Sequence, residues 1–475
     1  MTPNTGCCRQ PADRQVEPPS THRYAAAAAG RGAIAATGLG FALLLPAGET
    51  VAQTALAAQL ETGPDIACVG TRGYGVACLK SGAWMRWTRS GGELASDFVY
   101  AIAACRGRIL VSAGRWLHEL DRTGHGAMHR IPGGPARRIA CDSTGGYWTT
   151  ANRMLAKWTG RTWRRYDIDT VLKAAGAGWV ESMSVDHNGS PWVVAGGRIA
   201  ARFDGNRWMQ FTANSGLPAR WRLTGVHTGP GGRLWLAHDL GLALRKGNGW
   251  ENTAGPGSAR VFADAPDGAL WLGYLDRVTR FQDGFWTRYR IAGHAKGLVS
   301  GDDGRLWAAT RYGLGVHDGK GWHWRRMANS ELPSNDLAGI AVLGAGSRLP
   351  PPLAKPPGSL TFRLVGESGK ALAGARVDLC AAPPGRVLRS ARSPCYSRPF
   401  ARSSKTDGSG RVSFDGLPPA DYYPAILPQN GVRWLIGFSA GRTRVAAGQH
   451  RDAGDLRLRA ADNGAPTPRP VPGPN

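Results

Sequence analysis

The sequence predicts an all-β fold, a seven-bladed β-propeller followed by a small β-sandwich. Three observations predict it. Glycine supplies 67 of the 475 residues and tryptophan 18, while only 20% are charged. That is a composition of short strands and tight turns, not of a coiled coil or helical bundle. A unit headed by a glycine turn and a tryptophan recurs along the chain, five times intact and twice degenerate. Past residue 358 the pattern changes to longer alternating runs separated by Asp-Gly and Pro-Pro turns.

The intact units start at Trp148, Trp192, Trp235, Trp271 and Trp307. In each, the tryptophan opens a short strand, a loop and a second strand follow, and most copies end on a polar-Gly turn and another tryptophan. Two earlier copies carry Cys68 and Leu110 in the first tryptophan's place. The seven key positions lie 36 to 44 residues apart, room for a four-stranded antiparallel sheet. Such a sheet cannot bury both faces alone, so the copies must stack. Seven around an axis place each key tryptophan between neighbouring blades, which makes these residues core rather than a ligand cage. After the last copy, Asn329–Leu343 repeats the linker and inner-strand pattern, with Ile340 and Val342 alternating, but no tryptophan strand follows. Residues 336–343 are therefore expected to supply the inner strand missing from blade one, which protects the sheet edges and sets the propeller at 64–345.

The segment Asp303-Gly304-Arg305-Leu306-Trp307 with Thr310, then Gly313-Leu314 and Asp318-Gly319, resembles the two-component-regulator propeller repeat, as does Asp267 to Gly273. The resemblance spans 64–345 and implies a periplasmic ligand-binding sensor propeller. The transmembrane helix and kinase common in that family are not seen here, so direct signalling is not expected.

Residues 346–358 read as a Pro/Gly-rich linker and 359–440 as a β-sandwich. Gly369 to Val377 and Thr406 to Gly410 resemble carboxypeptidase regulatory-like, transthyretin-like modules, with Ala371 where the pattern has proline. That resemblance implies a spacer or adhesive role. The Pro-rich stretch 458–475 is expected to be disordered.

Ahead of the repeats, Arg23 and Arg31 flank an apolar run from Gly32 to Ala47, and Thr50-Val51-Ala52 precede Gln53. This is the order of an export signal, too short for a comfortable membrane span. Residues 1–52 are thus expected to be a leader or N-terminal anchor, the only membrane contact foreseen, and the protein periplasmic or secreted. Cys380 and Cys395 flank a Pro/Arg-rich loop and are expected to pair, which contributes about 3 kcal/mol in the chain-entropy picture. Cys68 and Cys78, on neighbouring strands, form a weaker candidate pair. The remaining cysteines read as small buried residues. None of the eight has metal-site spacing, and no cofactor is expected.

A net charge of +25 raises nucleic acid as a partner, but the basic residues are scattered and no nucleic-acid motif accompanies them. An acidic small molecule or glycan fits better. The loops joining second and third strands open on the same face as the interblade linkers, and they are basic and aromatic: Arg72, Tyr74, Arg115, Trp116, Arg153, Arg198, His238, Tyr274, Arg277, Arg311 and Tyr312. Guanidinium groups pair with carboxylate, sulfate or phosphate, and adjacent rings can stack on sugars. The aspartates of the opposite face mostly precede glycine and read as turn formers. No GxSxG, HExxH, P-loop or paired-carboxylate motif occurs, so binding is expected rather than catalysis. Two alternatives stand beside it: an envelope protein-interaction scaffold, and a propeller lyase or hydrolase built on His238 with Arg277 or Tyr312.

Overall fold

The structure is a computed structural model; it describes residues 65–213, 216–291, 293–366, 368–381, 393–395, 401–429, 431, 434–436 and 442–458. The expected leader and the Pro-rich tail from 459 onward lie outside the described residues. Among the described residues no helix is long and apolar enough to cross a membrane.

Seven four-stranded antiparallel sheets succeed one another. The second runs from Val99–Cys105 to Gly126–Arg130, the third from Arg138–Cys141 to Trp163–Asp167 and the fourth from Val180–Val185 to Trp208–Phe211. The fifth, sixth and seventh begin with Leu223–Thr228, Val261–Asp264 and Ala295–Ser300. The first sheet is assembled from both ends of this region. Ile66–Thr71 pairs on one side with Val76–Lys80 and on the other with Leu337–Leu343, from Ile66 opposite Leu343 to Gly70 opposite Gly339. Residues 336–343 thus supply the strand that the first repeat lacks.

Seven hydrophobic clusters join these sheets pairwise, and their order closes on itself. Cys68 and Val76 of the first sheet pack with Ile109 and Val111 of the second. Leu110 packs with Tyr147 of the third, and Trp148 with Ile199 and Phe203 of the fourth. Trp192 meets Leu234 and Leu236 of the fifth, Trp235 meets Leu270 and Leu272 of the sixth, and Trp271 meets Leu306 and Ala308 of the seventh. Trp307, wholly buried, returns to Ala67, Val69, Ala77 and Leu79 of the first. Every position at the head of the repeat therefore fills the space between its own sheet and the next. One turn aspartate helps hold its tryptophan. Asp186 accepts the N–H of Asn188 (3.0 Å) and of Ser190 (2.9 Å) through one oxygen, and Trp192 Nε1 (3.1 Å) through the other.

Three disulfides cross-link the described residues: Cys68–Cys78, Cys105–Cys141 and Cys380–Cys395. Cys68 and Cys78 are directly opposite on paired strands, so a disulfide occupies the tryptophan position of the first repeat. Cys105 and Cys141, which the sequence reads only as small buried residues, also pair. They end the inner strands of the second and third sheets and tie those two sheets together.

Beyond the seventh sheet the chain does not run free. Arg325 Nε donates to Pro350 O (2.9 Å), Leu353 N to Asn329 O (2.7 Å) and Lys355 Nζ to Ser330 O (2.6 Å). These bonds fasten the Pro/Gly-rich stretch along the seventh sheet. A three-stranded and a five-stranded sheet then share one core built on Leu360, Phe362, Val377, Leu379, Phe414 and Tyr422. They extend past residue 440, the boundary read from the sequence: Thr443–Val445 joins Ala420–Leu427, and His450–Arg457 runs parallel to Gly358–Val365.

Candidate functional site

The inner strands of the seven sheets share a local irregularity. In five of them the pairing slips by one residue near the start, leaving Tyr100, Glu181, Thr224, Lys296 and Ala338 unpaired. Arg137 and Arg260 occupy the equivalent place just before the two shorter inner strands, their N–H groups donating to Thr150 O (2.8 Å) and Gly273 O (3.1 Å). A bulge adds local twist and re-aims a side chain. At Tyr100, Lys296 and Ala338, as at Arg137 and Arg260, this position lines a common space, whereas Glu181 and Thr224 are not among its lining residues.

That space is a cavity of about 390 Å³ lined by residues from all seven inner strands or their approaches. Its charged lining is Arg72, Arg137, Arg138, Arg260 and Lys296, with His227 and His294; Ile102, Met183, Phe262 and Ile340 are among its apolar walls. No aspartate or glutamate is among its described lining residues. None of the five Arg and Lys residues makes an ion pair within 4 Å of a described carboxylate, although arginines elsewhere in the sheets do: Arg202 with Asp186, Arg153 with Asp169, Arg305 with Asp303. Arg138 donates only to backbone oxygens: Nε and Nη2 to Glu181 O (3.1 and 2.5 Å) and Nη1 to Arg137 O (2.9 Å). Desolvation by the surrounding residues, then repulsion from Arg137 and Arg260, holds its guanidinium pKa below the usual value although the residue as a whole is exposed, with Glu181 acting in the opposite sense. The Lys296 ammonium is pushed down to about 8, chiefly by burial and then by Arg311 and Arg72. Of the two histidines, His227 is held by Asp264 (Nε2 to Oδ2, 2.9 Å) and stacks on Phe262.

The eleven residues singled out from the sequence divide into four groups. Arg72 lines the cavity. Arg72, Tyr74 and Tyr312 meet the C-terminal module: Arg442 donates to Arg72 O (3.3 Å), and the Arg442 and Arg444 guanidinium groups lie 4.9 and 4.4 Å from the Tyr74 ring centre. Tyr312 packs against the module's core, and Arg311 is 3.9 Å from Asp336. Arg115 lines a second cleft, described below, and Trp116 stands opposite Arg130 in the second sheet. Arg153 is ion-paired with Asp169 (2.6 Å), and Arg198 is an exposed turn residue lining neither cavity.

His238, Tyr274 and Arg277 are structural. His238 is fully buried, stacked on Trp221 at 4.1 Å, with Nε2 on Asn252 Oδ1 (3.0 Å) and Nδ1 accepting the Leu240 N–H (3.2 Å). Both ring nitrogens are used, and burial depresses its pKa. That is a neutral core histidine, unavailable as the acid or base of a lyase. Tyr274 is buried and donates to Pro256 O (2.8 Å), with Arg277 over its ring.

Arg137, Arg138, Arg260 and Lys296 are absent from the sequence-derived set because they belong to strand starts rather than loops. A signal exists nonetheless. Ala136-Arg137, Ala259-Arg260 and Ala295-Lys296 each place a basic residue directly after an alanine that is at most 1% exposed, at the head of an inner strand. Among the described residues no group of three or more His, Cys, Asp or Glu could hold a metal ion.

The second cleft, about 570 Å³, lies between the second and third sheets. Arg115, Arg130 and Arg165 line it with Trp163, Asn152 and the loop Ile131–Pro135.

No family model matches the chain, and no curated protein matches it in sequence. Solved structures do match at a distance. The extracellular domain of BT4673 from B. thetaiotaomicron, described as a one-component system, aligns at 11% identity and a TM-score of 0.41, over 77% of this chain and 59% of that one. The WD40 β-propeller domain of Doa1 aligns at 10% identity and 0.42, over 52% and 86%. PorZ, a surface component of the type-IX secretion system of Porphyromonas gingivalis, aligns at 10% identity and 0.32, over 81% and 75%. The chain spans less than two thirds of the BT4673 domain. These are distant, partial resemblances to propeller-type folds and to a sensor extracellular domain, and they define no particular family.

Proposed function

We propose that residues 64–345 form a closed seven-bladed β-propeller carrying a C-terminal β-sandwich, and that its central channel binds a small anionic ligand such as a uronate or a phosphorylated or sulfated sugar. The observation that carries this reading is the set of five cationic residues lining one cavity, none of them ion-paired with a carboxylate among the described residues. Converging like charges raise the energy of the empty site, even though Arg72, Arg137, Arg138 and Arg260 are exposed and only Lys296 is half-buried, and an anion that pairs with them offsets that repulsion. A cavity near 390 Å³ is within the usual range for small-ligand sites. The apolar walls fit the carbon skeleton of such a ligand while the guanidinium forks fix its charged group. The cyclic order of the inter-sheet clusters supports the ring. The disulfides support an oxidising, exported setting, in keeping with the signal-like leader.

The test is a calorimetric titration of residues 53–475 with galacturonate, glucose 6-phosphate and sulfated monosaccharides at low and high salt. At least one should bind saturably, more weakly as salt rises. Arg260→Gln should cost about 1.5–3 kcal/mol of that affinity, the range for hydrogen bonds to charged groups. A flat panel, or an Arg260→Gln variant that binds like the parent, would remove the channel as the site.

A further inference from the structure

The cleft between the second and third sheets and the channel share one connecting segment. Ile131–Pro135 line the cleft; Arg137 and Arg138, two and three residues further on, line the channel. The segment is held by side chains on both sides. Asn152 Nδ2 donates to Gly133 O (2.6 Å), and the buried Ser112 hydroxyl accepts the Ala136 N–H (3.0 Å). Arg137 bridges outward, its guanidinium 6.0 Å from the ring centre of Trp179, which is 56% exposed. Arg137 thus joins the channel lining to an exposed aromatic face.

The cleft has the chemistry of a binding site in its own right. Arg115, Arg130 and Arg165 all line it, all are exposed, and among the described residues none is ion-paired. Between them stands Trp163, half-buried and positioned by Tyr147 (6.0 Å, edge-on) and Trp158 (5.3 Å). The Trp163 Nε1 atom is itself buried and has no hydrogen-bond partner among the described residues. Pro132 and Pro135 add apolar faces. Apolar ring faces beside unpaired guanidinium forks suit a ligand that has a C–H face and carries a negative charge.

We propose that this cleft is a second binding site, for an acidic sugar residue, so that the protein holds an acidic oligosaccharide at two points: one residue in the channel and another in the cleft. The proposal rests on the channel reading for the first point and on the cleft alone for the second. Two linked contacts act through effective concentration, so an oligomer long enough to reach both sites binds more tightly than its monomer, without altering either contact.

The experiment compares galacturonate, a galacturonate oligomer series, a sulfated oligosaccharide series, neutral maltooligosaccharides and oligoglutamate by calorimetry. The proteins are the parent, Arg130→Gln/Arg165→Gln in the cleft and Arg260→Gln in the channel, each with its thermal midpoint recorded. The parent should bind the longer acidic oligomers at least about tenfold more tightly than the monomer, a difference of about 1.4 kcal/mol. The cleft variant should lose that gain while keeping monomer affinity, and the channel variant should lose both. The carboxylated and sulfated series show which anionic group is preferred. Equal oligomer binding by the parent and the folded cleft variant would overturn the proposal, as would no gain with length or oligoglutamate binding as tightly as the sugars. Failure of the monomer alone to bind would sink the channel reading; a cleft-dependent oligomer affinity would then still uphold the second site.

Discussion

Lys296 occupies the bulge of its inner strand, and its surroundings set a sign that can be measured. Burial, Arg311, Arg72 and Arg138 lower its pKa to about 8, while Asp336 alone among the named groups raises it. An unfolded chain keeps the ordinary value near 10.4. Between those values the unfolded state binds more protons, so the ligand-free protein gains stability as pH rises through that window. The cost of the buried ammonium is fully present below pH 8, and Lys296→Met should relieve it and flatten the rise. A bound anion reverses the preference, since it needs the charged form. Galacturonate affinity should therefore fall above pH 8, approaching about tenfold per unit for one linked proton, and Lys296→Met should bind more weakly with no such dependence. Titrations at neutral and alkaline pH decide it; a flat parent profile would take Lys296 out of the site. The sequence made His238 the conspicuous residue and Lys296 an ordinary one. Three-dimensional pairing inverts that, because Asn252 and Leu240 satisfy both nitrogens of His238, whereas a one-residue slip turns Lys296 into the cavity. A slip of this kind leaves the linear repeat unchanged and cannot be read from it.

At the scale of strands and sheets, the repeat announced most of what the structure contains. The spacing of Trp148, Trp192, Trp235, Trp271 and Trp307, extended by Cys68 and Leu110 in the two degenerate copies, matched the number and order of the four-stranded sheets, and the orphan segment near Ile340 gave the strand that completes the first. The Cys105–Cys141 bond was hidden by a separation of 36 residues and two different repeat units. Its logic is positional: each cysteine ends an inner strand, so sheet neighbours bring them together. Closing a loop of that length is worth about 4 kcal/mol in the chain-entropy picture. Cys105→Ser/Cys141→Ser should accordingly lower stability by about 2–4 kcal/mol in denaturant melts, with the slope showing whether the unfolded state has expanded. A negligible change would mean that the core around Leu110 and Tyr147 alone holds the two sheets together. The C-terminal module was legible as a fold but not as a neighbour. Nothing in its sequence marks Arg442 and Arg444 as partners of Tyr74, so two of the most persuasive loop aromatics, Tyr74 and Tyr312, are found facing it.

For the whole molecule, the proposed closure of the ring has consequences that no single sheet reveals. In a linear stack each unit contacts its neighbours and the terminal units fray. Here the seventh sheet packs on the first through Trp307, Leu314 and Val316 against Ala67, Val69 and Leu79, and Leu337–Leu343 stitches the two ends by backbone pairing. The seam should thus be as strong as any other joint. Trp192, between the fourth and fifth sheets, and Trp307, at the seam, are both nearly or fully buried. Replacing either by alanine should cost about 3–5 kcal/mol, as for other large buried aromatics. In a closed ring the two variants lose similar amounts, and the seven sheets still melt together in one calorimetric transition. In an open array Trp307→Ala would release the first and seventh sheets early, giving a low-temperature shoulder absent from Trp192→Ala. The channel sharpens the contrast, because Arg72 and Ile340 beside the seam line it together with Arg137 and Arg260. A saturating anion should therefore raise the midpoint of both alanine variants by the same increment if the ring is closed. It should protect Trp192→Ala alone if the seam has opened.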